Sequence, residues 1–122
     1  MKGQRQSLGR WGEQLAAAFL QQRGYRLVAA NARTPYGELD LVTCQDEVTV
    51  FVEVKTRSST RFGLPEEAVT AQKRAHLLAA AQAFLESHPD LPRDWRVDVL
   101  AILNGGRGRP PEIIHFENAV NE

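Results

Sequence analysis

Residues 37–57 read GELDLVTCQDEVTVFVEVKTR, and this stretch decides the fold. Valine, leucine, threonine and phenylalanine dominate it, residues that fit a pleated, half-buried surface. Asp46-Glu47 interrupts the run and predicts a hairpin between strands over about Glu38–Gln45 and Val48–Thr56. A period of two places Val48, Val50, Val52 and Val54 on one face of the second strand. Thr49, Phe51, Glu53 and Lys55 then share the other face. Glu53 and Lys55 become neighbours, about 7 Å apart along the strand. Counting outward equally from the turn brings Asp40 level with Glu53. Two carboxylates and an ammonium converge at the far end of a hairpin otherwise built for a core.

Working outward, Ser7 can cap a helix over about Leu8–Arg23, with Leu8, Trp11, Leu15, Ala18 and Phe19 as its apolar stripe and Gly24 as its stop. Tyr25–Ala30 reads as a short strand, followed by a polar loop through Tyr36. Beyond the hairpin, the loop RSSTRFGL leads to Pro65, suited to the first turn of a second helix. That helix is expected to reach about Ser87, with Ala68, Ala75, Leu78, Ala79 and Leu85 on one side. RVDVLAIL (96–103) predicts a fourth strand, GGRGRPP (105–111) a basic loop and EIIHF (112–116) an edge strand. The order αβββαββ implies an α/β fold, a mixed β-sheet flanked by helices, in a single domain over residues 1–122.

Composition narrows the function classes. The 122 residues are 43% hydrophobic and 25% charged, ordinary for a soluble globular protein. No run approaches the ~18 apolar residues of a membrane span, and MKGQRQSLGR lacks the apolar centre of a signal peptide. A cytoplasmic protein without membrane partners is expected. Cys44, the single cysteine, excludes an internal disulfide and a thiolate zinc cluster. Net charge is zero, yet residues 1–37 hold six basic side chains against one acid, Glu13. Arginine outnumbers lysine twelve to three among the 15 basic residues. Bidentate phosphate contacts follow if this basic side meets nucleic acid, although an arginine-rich genome yields the same ratio.

The Asp40, Glu53 and Lys55 cluster suits metal-assisted hydrolysis of a phosphodiester. Magnesium takes one or two protein carboxylates and keeps waters and substrate phosphate as its other ligands. Lys55 beside it can orient the attacking water or stabilise the transition state. The acid-any-lysine spacing turns Val54 into the core and leaves its carbonyl available as a ligand. A Glu-x-Lys alone is more often a surface ion pair. Asp40, in register within an apolar strand, is what makes the cluster a candidate site. Glu38 and Glu47, at a strand end and a turn, read as solvated. Glu13 lies off the Trp11–Leu15 stripe and either faces solvent or reaches the site.

Arg57 and Arg61 follow directly from the site strand and are candidate phosphate contacts. Lys73 shares a row with Val69, Leu77 and Phe84, as a structural snorkelling lysine would. His76, His88 and His115 lack ligand spacing and fit a helix surface, a helix end and an edge strand. Cys44 alternates with apolar neighbours and reads as core. Gly105, Gly106 and Gly108 precede no helix and cradle no phosphate.

GRWGEQLAA (9–17), GELD (37–40) and FVEVKTR (51–57), with Asn31–Arg33, Lys73 and the Arg96-x-Asp98 pair, together resemble the bacterial YraN-like family. That family is similar to archaeal Holliday-junction resolvases within the PD-(D/E)xK nuclease superfamily. Leu39 stands where the superfamily name has proline. The resemblance implies a restriction-endonuclease-like core, with Asp40 and Glu53 as metal-binding and catalytic carboxylates. It makes Lys55 the catalytic lysine, Glu13 a helix carboxylate of the metal site and Lys73 a further polar contributor toward nucleic acid. The expected function is a magnesium- or manganese-dependent endonuclease acting as a homodimer on DNA, including branched or junction DNA. The alternatives are a non-catalytic nucleic-acid-binding or interaction protein with a vestigial site, and an RNA nuclease. The intact set Glu13, Asp40, Glu53 and Lys55 favours the enzyme.

Overall fold

Five strands form one mixed sheet in the order in which the chain makes them, β1-β2-β3-β4-β5. In the computed structural model, which describes residues 2–57, 70–106 and 108–121, α1 (Lys2–Gln22) precedes β1 (Arg26–Thr34), β2 (Gly37–Gln45) and β3 (Val48–Arg57). Helix α2 (Ala71–Ser87) then connects to β4 (Asp94–Leu103) and β5 (Glu112–Val120). The first three strands run as an antiparallel meander. β4 pairs parallel to β3, with Val48 level with Asp94 and Arg57 with Leu103, which is why a helix must intervene. β5 returns antiparallel along β4. The element order is the one expected, and no described helix is long and apolar enough to cross a membrane.

Each helix covers one face of the sheet. Ala80, Ala81, Phe84 and Leu85 of α2 lie on Val42, Cys44, Phe51, Val97 and Val99. Phe51 anchors that layer, edge-on to Phe84 and Trp95 with ring centroids 6.1 and 6.0 Å away. Ala16 and Leu20 of α1, with Tyr25, lie on Leu41, Val50, Val52, Leu100 and Ile102. The central strands β3 and β4 are therefore buried on both faces, which explains their near-continuous apolar runs.

Several boundaries differ from the sequence reading. Helix α1 begins at Lys2, so Ser7 lies within it rather than capping it. Its buried centre is Gly12, Ala16 and Leu20, flanked by Trp11, Leu15 and Phe19, whereas Ala18 is exposed. Small residues let the helix approach the sheet: a Cβ on Gly12 would overlap the Thr56 hydroxyl of β3. Gly24 ends α1 as expected, with φ 89°. Gly24 N–H donates to the Gln21 carbonyl and Tyr25 N–H to that of Leu20, a Schellman closure. Helix α2 starts after Thr70, whose extended backbone and side chain cap the Lys73 N–H at 3.2 Å. The expected start at Pro65, and Ala68, lie outside the described residues. Ala75 is exposed, because Leu77, Ala80, Ala81 and Phe84 set the buried face instead. β1 and β5 extend past the predicted Ala30 and Phe116, each through an asparagine in the left-handed region, Asn31 (φ 52°) and Asn118 (φ 51°).

Candidate active site

The β2–β3 hairpin turns at Asp46-Glu47, with Asp46 at φ 54°, and its paired register runs outward to Leu41 opposite Val52. Asp40 and Glu53 follow Leu41 and Val52 outward, past the last paired position. At this point a side chain takes over the ladder's role: Val54 N–H donates to Asp40 Oδ2 at 2.9 Å. Leu39 and Leu41, two residues apart, lie in the cores on opposite faces, so β2 twists through Asp40. This irregularity brings an acid to the rim of the sheet without losing the Leu39 contact.

Glu53 and Lys55 project from β3 on the α2 side, with Lys55 Nζ 3.3 Å from Glu53 Oε1. Their side chains are only 17% and 14% exposed, so this pair is largely withdrawn from solvent. They open into a cleft of about 260 Å³ whose rim carries Tyr36, Glu38, Lys73 and His76. Burial, and after it the negative charge of Glu53, pushes the Asp40 carboxyl up to about 7. The Val54 N–H and the Lys55 ammonium pull the other way and do not prevail. Asp40 is held where ionisation is costly unless further positive charge arrives.

Glu13 is half-buried on α1 and opens into a different depression, beside Gly9, Arg10 and Asn31. Burial and then the Asp40 charge raise its carboxyl above the usual range, a hydrogen bond from Asn31 offsetting part of the effect. Glu13 thus interacts with Asp40 while lining a different depression from Glu53 and Lys55. Among the described residues no three His, Cys, Asp or Glu side chains gather into a ready-made ligand cage. Asp40 and Glu53 still fit magnesium, a hard ion satisfied by one or two carboxylates.

The remaining expected residues fall as follows. Lys73 is exposed and rims the cleft, one turn of α2 before Leu77. Arg57 is exposed at the end of β3, where its carbonyl accepts the Asn104 N–H at 2.8 Å. Arg61 lies outside the described residues. Cys44 is buried, as expected.

Three residues with no site role in the sequence reading belong to this neighbourhood. Glu38 is indeed solvated, yet its charge contributes to raising both Asp40 and Glu13. Its place two residues before Asp40 was the available signal. His76 reaches the cleft because it follows Lys73 by three on a helix. Asn31 answers Glu13, a contact that no spacing in the sequence announces.

Comparison with known proteins agrees with this architecture's sequence signature. The profile of the uncharacterised protein family UPF0102 matches residues 12–102. A UPF0102 protein of Roseiflexus castenholzii is 47% identical over 124 residues, spanning 100% of this chain and 99% of the relative. One from Syntrophomonas wolfei is 50% identical over 109 residues, covering 88% of this chain and 95% of its own length. One from Syntrophotalea carbinolica is 44% identical over 119 residues, covering 98% and 95%. The chain therefore belongs to the UPF0102, or YraN-like, family.

Proposed function

We propose that this protein is a magnesium- or manganese-dependent phosphodiesterase that cleaves DNA, on a restriction-endonuclease-like core of the PD-(D/E)xK type. One observation carries the reading. Asp40 and Glu53 come from adjacent antiparallel strands, beside Lys55, with Asp40 pushed up to about 7 by burial and then by the Glu53 charge, which the Val54 N–H and Lys55 do not offset. A satisfied structural ion pair has no such deficit.

Asp40 and Glu53 would hold the cation, and Glu13 would add a carboxylate from the far side of Asp40. Such an ion, when bound, supplies a more acidic water and neutralises phosphate charge. The chain's own residues supply the rest. Lys55, relieved of neutralising Glu53, can direct its ammonium at the phosphate oxygens as negative charge builds in the transition state. The water oxygen gives up a proton to solvent and bonds to phosphorus as the bond to the leaving sugar oxygen breaks, and that oxygen takes a proton from solvent. Asp40 stays fixed by the Val54 N–H, so its carboxylate need not reorganise. Lys73 and Arg57, both exposed near this end of the sheet, supply phosphate contacts.

A second reading has two observations in its favour: Glu53 and Lys55 already pair at 3.3 Å, and the described residues hold no three-ligand cage. A protein that binds nucleic acid without cutting it would look the same. Calorimetry with magnesium and manganese, paired with cleavage assays on duplex, single-stranded and branched DNA, separates the two. The nuclease reading expects metal binding lost in Asp40→Asn and Glu53→Gln. It expects Lys55→Ala to retain metal and lose cleavage. DNA binding with no metal-dependent cleavage on any substrate would leave the second reading standing.

A further inference from the structure

The cleft at Glu53 and Lys55 has a neighbour along α2. A second cleft of about 300 Å³ lies beside Arg33, Thr34 and Pro35 on one wall and Phe84 and His88 on the other. Residues 73, 76, 77 and 80 of α2 line the first cleft, and 83, 84 and 87 line the second. Those positions recur at helical spacing, so both clefts follow one face of α2. At 1.5 Å per residue the two clefts together line about 20 Å of the helix. The β1–β2 turn forms the opposite wall, with Pro35 facing one cleft and Tyr36 the other.

Tyr36 is 53% exposed, one of two large hydrophobic side chains left open among the described residues. The turn that presents it is rigidly tied. Thr34 Oγ1 accepts the Tyr36 N–H at 3.1 Å and donates to the Gly37 carbonyl at 2.7 Å. Gly37 takes φ 127°, a conformation that side chains disfavour. An aromatic ring is therefore held open at the mouth of the candidate site by a turn with little freedom to withdraw it. Arg33 lines the second cleft with its side chain 91% exposed, its Nε 3.9 Å from Glu38 Oε2 in a loose surface pair that a phosphate can displace.

We infer that the groove between α2 and the β1–β2 turn takes a single, unpaired strand of nucleic acid, with Tyr36 stacking on a base beside the phosphate at Lys55. This rests on the phosphodiesterase reading and narrows its substrate to unpaired segments, such as flaps or the splayed arms of a branch. An aromatic platform beside basic side chains is the chemistry by which single strands are held without sequence preference. A paired base has its faces covered by its neighbours and offers Tyr36 nothing to stack on.

The test uses the full chain in chelator, where binding is read without cleavage. A 15-nucleotide single strand carrying 2-aminopurine is compared with the same sequence as a duplex. The single strand should bind more tightly and its fluorescence should be quenched on binding. Tyr36→Ala should weaken single-strand binding about tenfold and remove the quench, while Tyr36→Phe keeps both. Arg33→Ala should lower the log–log salt slope by about 0.7. Equal binding by Tyr36→Ala with its thermal midpoint unchanged, or preference for the duplex, overturns the inference, as does no binding of either. An RNA 15-mer bound as tightly as DNA supports the groove and leaves the sugar unread. Cleavage in magnesium is scored separately, so a catalytic failure counts against the nuclease reading and not against the strand groove.

Discussion

Asp40 and Asp98 occupy matching places and meet opposite fates. Each sits on an inner strand beside an edge strand that bends at a left-handed asparagine, Asn31 beside Asp40 and Asn118 beside Asp98. Asp98 is fully buried and receives three donors: Arg96 Nε at 3.0 Å, His115 Nε2 at 2.7 Å and the Asn118 N–H at 2.8 Å. Burial alone would raise its carboxyl, but the His115, Asn118 and Arg96 bonds hold it below the usual range. Arg96 in turn bonds the Tyr25 hydroxyl, tying β4 to the end of α1. Asp40 receives one N–H and stands among acids, and it is pushed up to about 7. Burial is common to both; the supply of donors is not. A buried carboxylate whose charge is met anchors a fold, and one whose charge is left short is suited to an incoming cation.

The largest effect is expected at the anchor. Asp98→Ala leaves Arg96 and His115 without their partner and should cost about 3–5 kcal/mol in urea unfolding, the range for breaking a buried pair. A near-neutral result would remove Asp98 from the comparison. Gly12→Ala comes next, at about 1–3 kcal/mol, because the added methyl overlaps the Thr56 hydroxyl. Thr56→Ala in the same chain should recover most of that loss, and failure to do so would place the strain elsewhere.

The two aspartates should also split by pH. The lowered Asp98 carboxyl contributes stability that is present above about pH 4 and lost as pH falls through its folded value. The raised Asp40 carboxyl does the reverse: its contribution is full below about pH 4 and lost as pH rises through about 7. In chelator, the stability difference between wild type and Asp40→Asn should therefore move against wild type between about pH 4 and 7. The difference for Asp98→Asn should shrink only on stronger acidification. Parallel profiles for both variants would erase the contrast. The smallest effect is at the rim, where Arg57→Ala should reduce the salt slope of duplex DNA binding by about 0.9 with little change in stability.

Much of the candidate site was legible because strand geometry is simple. A period of two and an equal count from Asp46-Glu47 were enough to bring Asp40 to the end of the hairpin that carries Glu53 and Lys55. The twist of β2 at Asp40 was not legible, since it follows from Leu39 and Leu41 entering different cores. Helix faces were read less well. The largest apolar residues suggested a stripe through Ala18, but close approach of α1 depends on Gly12 and Ala16, which carry almost no hydrophobic signal. The Asp98 network was invisible as chemistry because its donors come from β4, β5 and a backbone N–H at a bend. His115, which looked like an edge-strand histidine, belongs to that network and packs between Phe19 and Tyr25.

The most direct measurement is a set of four thermal melts near pH 8: wild type and Asp40→Asn, each in chelator and in excess magnesium. Asparagine keeps an acceptor for the Val54 N–H and removes one of the crowded charges. Asp40→Asn should melt a few degrees above wild type in chelator, and magnesium should raise the midpoint of wild type alone. A mutant that melts lower in chelator, with wild type indifferent to magnesium, would show Asp40 to be one more structural carboxylate and would contradict the metal-site proposal.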